Sequence, residues 1–268
     1  MTSSPLTERS LIRRRSTQHA VATSFSLALL AVWELVGQAG LTPFFPPISS
    51  VAVEVSDILT GPQLTRDVLP SLGRALIGFG VASVGGATLG ICLGYFRSLE
   101  PWTQSPLEFI RSVPPPAVLP LAVMVMGPTY TMRVAVIAFG AFWPVLLNAI
   151  SGTRHVDPMY FDVARTWKAS SWEIIRRFVF PAALPQIMAG MRIALAIALV
   201  LTVLSEMIAA SSGLGYLVLQ SQRLFALDRM YAGVVMLGVV GWLFTVVFAQ
   251  IERRVLVWYE GQKGLRDG

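Results

Sequence analysis

The chain has 268 residues, of which 54% are hydrophobic and 13% charged, with a formal net charge of +6. A soluble domain carries about 25% charged residues, so this composition excludes an ordinary soluble protein and indicates an integral membrane protein in a lipid bilayer. The basic residues lie at the termini and in a few loops, which is typical of membrane topology and not of a nucleic-acid-binding surface. Cys92, His19 and His155 are too few and too far apart to predict a disulfide or a metal site.

Six membrane spans are predicted, because a helix needs about 20 apolar residues to cross a bilayer. In chain order they cover residues 20–36, 75–96, 117–127, 134–153, 184–210 and 230–251. The third is the least regular, since a cluster of prolines precedes it. The predicted membrane domain therefore covers residues 20–254, between tails at residues 1–19 and 255–268.

The positions of Lys and Arg predict the orientation of these spans. With the N-terminus in the cytoplasm, fifteen basic residues fall in cytoplasmic segments and five in external ones. The positive-inside rule then places both termini in the cytoplasm. The basic residues at 13–15 also resemble the start of a secretion signal, but the apolar stretch after them is long and lacks a small-x-small cleavage site. We expect a retained anchor.

Gly86, Gly90 and Gly94 recur every four residues in the second span and so share one face of its helix. Such a face lets a second helix approach closely, which is how helices associate in lipid. The pattern predicts packing and not chemistry. It leaves open whether the packing partner belongs to the same chain or to a second copy.

Residues 111–120 cannot form a regular helix, because prolines remove amide donors and disfavour the helical conformation of the preceding residue. Irregular backbone at membrane depth is tolerated where it is buried in protein or lines a watery cavity. Pro114 and Pro115 are therefore predicted to line a gate or pathway. An ordinary loop ahead of a short helix is the alternative.

Arg192 and Glu206 are ionisable residues within the fifth span, about 21 Å apart along a helix and too distant to pair within it. An ionisable group inside a membrane is a functional hypothesis. The alternative is that both lie at the membrane interfaces, with Arg192 extending toward the cytoplasm. Arg74 has the same two interpretations, and Arg111 is a further basic residue beside the proline cluster.

Residues 157–185 form a polar, basic interruption between apolar stretches. A first short helix is predicted from Pro158, with Asp157 as its N-cap. Its apolar positions recur at helical spacing, at Tyr160, Phe161, Ala164 and Trp167.

A second short helix is predicted after a turn near Lys168 and Ala169. Ser170 and Glu173 fit a capping box at its start, and Pro181 and Pro185 separate it from the next span. The two helices favour a docking surface for a partner. The alternative is that Trp167 and Trp172 lie at the membrane interface.

This loop resembles the EAA loop of ABC importer permeases, which has the pattern E-A-A-x-x-x-G followed ten residues later by I-x-L-P. Asp162-Val163-Ala164 matches the first part, Lys168 occupies the position of the glycine, and Phe178-Val179-Phe180-Pro181 matches the second part. The resemblance covers roughly residues 66–255, including PAALPQIMAGMRIALAIALV and SEMIAASSGLGYLV. It is greatest to the permeases for taurine, aliphatic sulfonates and nitrate.

The resemblance implies an all-α, type I ABC importer permease fold with about six transmembrane helices in a bacterial inner membrane. Residues 154–183 would be the loop that couples the permease to two copies of a separate ATPase. The residues implied in that contact are Tyr160, Asp162, Val163, Ala164, Trp167, Lys168, Ala169 and Pro181. The chain itself lacks G-x-x-x-x-G-K-[ST], so ATP and Mg would be bound by the partner and the chain is not expected to be an enzyme.

The further partners implied are a second copy of the permease and an external solute-binding protein, either periplasmic or a lipoprotein. The implied solute is a small anion such as taurine, a sulfonate or nitrate, and Arg74, Arg111 and Arg192 are candidates to contact it. A transporter driven by an ion gradient and a membrane scaffold that transports nothing are the alternative functions.

Lys168 departs from the pattern, because glycine at the end of a helix takes a positive φ without a steric penalty. A lysine in that conformation costs roughly 1 kcal/mol or more. Either the turn differs here or the contact with the ATPase offsets the strain. Asp162 departs less, since it keeps the carboxylate of the usual glutamate on a shorter side chain.

Overall fold

The computed structural model describes residues 24–40 and 42–259, and its regular elements in that part are all helical. We number the helices in chain order. They are α1 (Ser24–Gln38), α2 (Ile48–Thr60), α3 (Leu69–Tyr95), α4 (Glu100–Arg111), α5 (Leu119–Met126), α6 (Tyr130–Arg154), α7 (Pro158–Thr166), α8 (Ser171–Ile174), α9 (Phe180–Ala209), α10 (Leu214–Arg223) and α11 (Leu227–Val255).

Four helices are long and apolar enough to cross a membrane: α3, α6, α9 and α11, of which α3 and α9 are extended at their N-termini by π-turns. Helices α4 and α5 form a pair bent by 78° and could together supply a fifth span. The prediction of six spans is therefore corrected to four or five within the described residues. Residues 117–127 contribute only the short α5 and a 3₁₀ turn, and the first predicted span is described only as the short α1.

The break predicted at residues 111–120 is confirmed, since α4 ends at Arg111 and a 3₁₀ turn, Pro115–Val118, precedes α5. Helices α2, α4 and α10 were not predicted, because they are short and only partly apolar. The tail at residues 1–19 lies outside the described residues.

Helix α6 lies at the centre of the bundle, between α3 and α9. Its residues Ala141, Val145 and Ala149 are fully buried in the main apolar core, which extends to the loop around α7. Tyr95, at the end of α3, contacts Phe161 of α7 with ring centroids 6.3 Å apart. The bundle therefore has a loop end, which carries α7 and α8, and a far end, where α3 begins and α9 finishes.

The glycine face of α3 packs against α6 of the same chain, which settles the question that the sequence left open. A Cβ atom built at Gly90 would lie 2.5 Å from Ala149 Cβ and 2.7 Å from the Leu146 carbonyl oxygen. A Cβ atom at Gly86 or Gly94 would likewise lie 2.9 Å or 2.6 Å from the nearest atom of α6. These distances leave no room for a side chain, so the backbones of the two helices approach each other directly.

We expect Gly90→Ala to lower the thermal unfolding temperature of the purified protein, because the added methyl group must push α6 away from α3. Gly80→Ala is the matched control, since nothing lies within 4 Å of a Cβ at Gly80. The control should be neutral or slightly stabilising, as alanine favours a helix over glycine by about 1 kcal/mol. Equal unfolding temperatures for the two variants would contradict this account of the helix contact.

Candidate functional site

The loop helix α7 begins as its sequence predicts. Pro158 is its first residue, and Asp157 Oδ1 accepts a hydrogen bond from the Met159 amide at 2.9 Å. The aspartate therefore caps a free amide, and proline stands where no amide is required. Both choices fix where the helix starts.

Helix α7 ends in a tight turn with Lys168 in the left-handed conformation, at φ 50°. The Ala169 amide donates to the Ala164 carbonyl at 3.1 Å, which is the six-to-one hydrogen bond of a Schellman motif. The turn is thus of the type that usually contains glycine. Lysine adopts it at a cost of about 1–2 kcal/mol.

The capping box at the start of α8 is confirmed. The Ser170 amide donates to Glu173 Oε2 at 2.9 Å, and Ser170 Oγ accepts from the Glu173 amide at 3.3 Å. The carboxylate and the hydroxyl each satisfy an amide that the helix itself leaves unpaired.

The prediction of a separate second short helix was wrong. Helix α8 continues through a π-turn, Ile175–Val179, directly into α9, so that one helix runs from Ser171 to Ala209. Pro181 and Pro185 lie inside this helix and do not end it. Pro181 follows the π-turn after one intervening residue, Phe180, and the wider turn accommodates a residue that lacks an amide and clashes with the preceding turn.

The apolar residues of α7 divide between two faces. Ala164 is fully buried and belongs to the main core, against which Phe161 and Ala169 also pack. Trp167 is 75% exposed, although its spacing placed it on the same face as Ala164. Tyr160 is half-exposed, with its ring centroid 6.2 Å from that of Phe178.

The exposed side of the loop combines large apolar side chains with a cation. We call it the exposed loop face, and its members are Met159, Tyr160, Trp167, Lys168 and Trp172. Asp162 is also exposed, Val163 and Pro181 are half-buried, and these residues border the same face. An exposed apolar patch of this kind is typical of an interaction surface.

A second constellation lies at the far end, where Arg74 and Glu206 meet. Arg74 Nη1 is 2.6 Å from Glu206 Oε1, and both side chains are almost completely buried. Ser71 Oγ lies 2.8 Å from each carboxylate oxygen, and Arg74 also donates to the Ser212 carbonyl at 3.0 Å. The two candidates from distant parts of the sequence therefore form one buried ion pair, three residues before the end of α9.

The same group of side chains caps helix α10. Asp67 Oδ1, Ser71 Oγ and Glu206 Oε2 accept hydrogen bonds from the consecutive amides of Gly213, Leu214 and Gly215 at 2.8–3.0 Å. We call Asp67, Ser71, Arg74 and Glu206 the Glu206 network. It joins the start of α3, the end of α9 and the start of α10.

Sequence reasoning missed Asp67 and Ser71. The local signal in the sequence is Gly213 itself. In the structure it has a φ of 123°, and a Cβ atom there would lie 2.4 Å from Glu206 Cδ. A glycine ahead of a helix and close to an acidic residue is consistent with such a cap, but it does not identify the partner side chains.

The remaining pathway candidates lie apart from one another. Arg192 is 61% exposed and pairs with Glu252 of α11. Arg111 and Pro114 are exposed, whereas Pro115 is half-buried and lies beside Gly140 of α6. The structure thus brings together only Arg74 and Glu206, and the role of all six candidates in a pathway stays a prediction.

The family model described as "Binding-protein-dependent transport system inner membrane component" matches residues 84–257. The chain belongs to this family. Its similarity to curated permeases extends along most of their length. The aliphatic sulfonates permease protein SsuC of Bacillus subtilis is 30% identical over 88% of this chain and 86% of its own.

Two further relatives broaden the comparison. The taurine permease protein TauC of Escherichia coli is 29% identical and covers 91% of each chain. The bicarbonate permease protein CmpB of Synechococcus elongatus is 27% identical over 86% of this chain and 87% of its own. In fold, the chain is similar to a solved MetNI methionine ABC transporter structure, with a TM-score of 0.63, 20% identity and coverage of 72% of this chain and 96% of that one.

Family membership shows that the chain is the permease subunit of an ABC importer and not its ATPase. The predicted all-α importer permease fold is confirmed. The two alternative functions, a gradient-driven transporter and a scaffold, are therefore excluded. Transport by this family depends on a binding protein and on an ATPase, which are partners of this subunit.

Replacing Arg74 by alanine should strongly destabilise the protein, because the buried Glu206 carboxylate would lose its cation. Breaking a buried ion pair in this way costs about 3–5 kcal/mol. The matched control is Arg192→Ala, which removes an exposed pair worth about 0–1 kcal/mol. Denaturant unfolding of the two purified variants measures the difference, and similar losses would refute the structural role of the Glu206 network.

Replacing Lys168 by glycine should make the turn after α7 more stable by about 1 kcal/mol, because glycine takes a positive φ freely. Lys168→Ala is the control, since it removes the charge and keeps a Cβ atom in the left-handed conformation. Hydrogen exchange at the Ala169 amide reports on this turn through its bond to Ala164. Slower exchange in the glycine variant alone is the expected result, and slower exchange in both would assign the effect to charge.

Proposed function

We propose that the chain forms the translocation pathway for a small anion of the taurine, sulfonate or nitrate class, and that the exposed loop face receives the ATPase subunit. The observation that carries the second part is the division of α7 into two faces. Its inner face is fixed to the core through Ala164 and Ala169, while Trp167 and Lys168 are exposed at the Schellman turn that ends the helix.

The continuous helix from Ser171 to Ala209 supports the proposed ATPase contact, because it links the loop to the bundle. Helix α8 is the first part of the helix that crosses the bundle as α9, so a displacement at Trp172 acts on α9 without an intervening hinge loop. Ile174 and Val179 are buried in the same core as α6. A partner that moves the exposed loop face therefore moves the helices around it.

The charge distribution supports a cytoplasmic position for the loop end. Arg97, Arg154, Arg176 and Arg177 all lie there, and we place both termini on the same, cytoplasmic side. The tail residues that complete this pattern lie outside the described residues.

A symmetric homodimer with two ATPase subunits completes the proposed importer. The short helix α5 leaves Leu121, Met124 and Val125 exposed beside the proline segment that leads to Pro115. A second copy that covers this face would place the proline segments of both chains along one pathway.

The anion class rests on the relatives, which carry the names of sulfonate, taurine and bicarbonate permeases. These solutes share a small size and an anionic group. Arg111 and Arg192 are the exposed cations among the pathway candidates, and we expect them to meet such a group.

The test is ATP-driven uptake by proteoliposomes that contain the permease, its ATPase and its solute-binding protein, with labelled taurine as the probe. Trp167→Ala combined with Lys168→Glu should reduce uptake about tenfold or more, since a few aromatic and charged residues dominate most interfaces. Trp102→Ala, which removes a tryptophan that is 81% exposed on α4, is the control and should transport normally.

Unchanged uptake in the double variant, or after deletion of residues 160–170, would exclude the proposed coupling surface. Competition by unlabelled ethanesulfonate, nitrate and bicarbonate examines the solute class in the same vesicles. The proposed solutes would be excluded if the vesicles took up no taurine and if none of these anions competed for the binding protein.

A further inference from the structure

The turn between α10 and α11 projects two apolar side chains from the far end. Leu224 is 70% exposed and Phe225 is 75% exposed. The Ala226 amide donates to the Ser221 carbonyl at 2.9 Å, and Phe225 has a φ of 55°. The turn is thus a second Schellman motif with a bulky residue at the position that favours glycine.

This conformation is costly for a phenylalanine, and the surrounding chain does little to offset the cost. A left-handed conformation costs roughly 1–2 kcal/mol for a residue with a Cβ atom. The side chain is three-quarters exposed, so its packing within the chain is slight. Strain that persists in this way is most often found at functional positions.

Cationic and polar groups surround this apolar tip. Arg66 and Arg229 line a depression behind Leu224, together with Gln63 and Gln220. Arg223 is exposed next to the tip. We call Arg66, Arg223, Leu224, Phe225 and Arg229 the far-end corner.

Asp67 also lines this depression, but its carboxylate does not neutralise the arginines at the surface. Asp67 is buried and accepts a hydrogen bond from the Gly213 amide. The far-end corner therefore presents an apolar tip within a positively charged rim.

We propose that the far-end corner is the docking surface for the solute-binding protein, through an acidic rim on that protein around an apolar depression that receives Phe225. The inference rests on the proposed function, in which the loop end is occupied by the ATPase. Transport by this family depends on a binding protein. With the ATPase at the loop end, the far end is the end left for that protein. A lipid-facing surface would lack the polar depression that Gln63 and Gln220 line.

Docking at this corner would act directly on the long helix of the bundle. Helix α10 starts at the Glu206 network, where the Gly215 amide bonds to Glu206 of α9 at 3.0 Å. Helix α9 continues at its other end into α8 and the exposed loop face. Helix α10 therefore connects the far-end corner to α9, and the continuous α8–α9 helix connects that point to the exposed loop face.

The test measures ATP hydrolysis by the reconstituted permease–ATPase complex as the concentration of its purified solute-binding protein is raised. We expect Phe225→Ala and Arg223→Glu to increase the half-maximal concentration about tenfold or more, while basal hydrolysis and the maximal rate stay as in the parent complex. Phe225→Gly should behave like Phe225→Ala in this assay and unfold at a higher temperature, because glycine removes the strain.

Phe109→Ala is the matched control, because Phe109 is 77% exposed on α4 and lies outside the corner. Its concentration dependence should equal that of the parent complex. An unchanged concentration dependence for all three corner variants would overturn the docking proposal, whereas a parent complex that the binding protein does not stimulate would instead overturn the proposed function.

Insertion of the tip into lipid is the competing outcome. A fluorophore attached to the Phe225→Cys variant, in a Cys92→Ser background, should be shielded by the binding protein and remain unaffected by nitroxide-labelled lipids. Quenching by the lipid labels, with no shielding by the binding protein, would overturn the proposal.

Discussion

Helices in a bilayer gain little by burying apolar side chains against one another, because the lipid tails are equally apolar, and close packing must supply the attraction. In this permease the packing is backbone to backbone. On one side of α6, Gly86, Gly90 and Gly94 bring α3 into direct contact. On the other side, a Cβ atom at Gly190 of α9 would lie 2.7 Å from the Pro144 carbonyl, and one at Gly152 would lie 3.1 Å from the Ala183 carbonyl. The three helices form a rigid slab, on which both ends of the molecule depend.

The three packed helices separate two polar regions, the loop with α7 at one end and the Glu206 network at the other. At the loop end, α7 rests on the core through Ala164, and at the far end the Glu206 network closes the junction of α3, α9 and α10. Helix α9 alone spans about 45 Å between them. A buried carboxylate with an arginine, a serine hydroxyl and a backbone amide around it has few alternative arrangements, so the far end is well determined. By contrast, the loop exposes its aromatic side chains and is suited to a partner.

The sequence predicted features that depend on neighbouring residues and missed those that depend on distant ones. The N-cap at Asp157 and the capping box at Ser170 are confirmed, because each is complete within four residues. The long apolar helices and the glycine face follow from composition and spacing. The ion pair between Arg74 and Glu206 could not be predicted, since 132 residues separate its members. The continuous α8–α9 helix was missed because proline usually ends a helix, whereas here the helix continues through a π-turn ahead of Pro181 and through Pro185.

The π-turn at Ile175–Val179 also constrains how this loop tolerates changes in length. A π-turn contains one residue more than an α-turn, so deletion of one residue there would restore a regular α-helix instead of breaking it. Each residue turns an α-helix by about 100°, so Trp172 and all of α7 would then face a different direction relative to α9. The packing of α3, α6 and α9 would be unaffected, and the exposed loop face would point in a different direction. The π-turn thus sets the direction in which the exposed loop face points relative to the membrane helices.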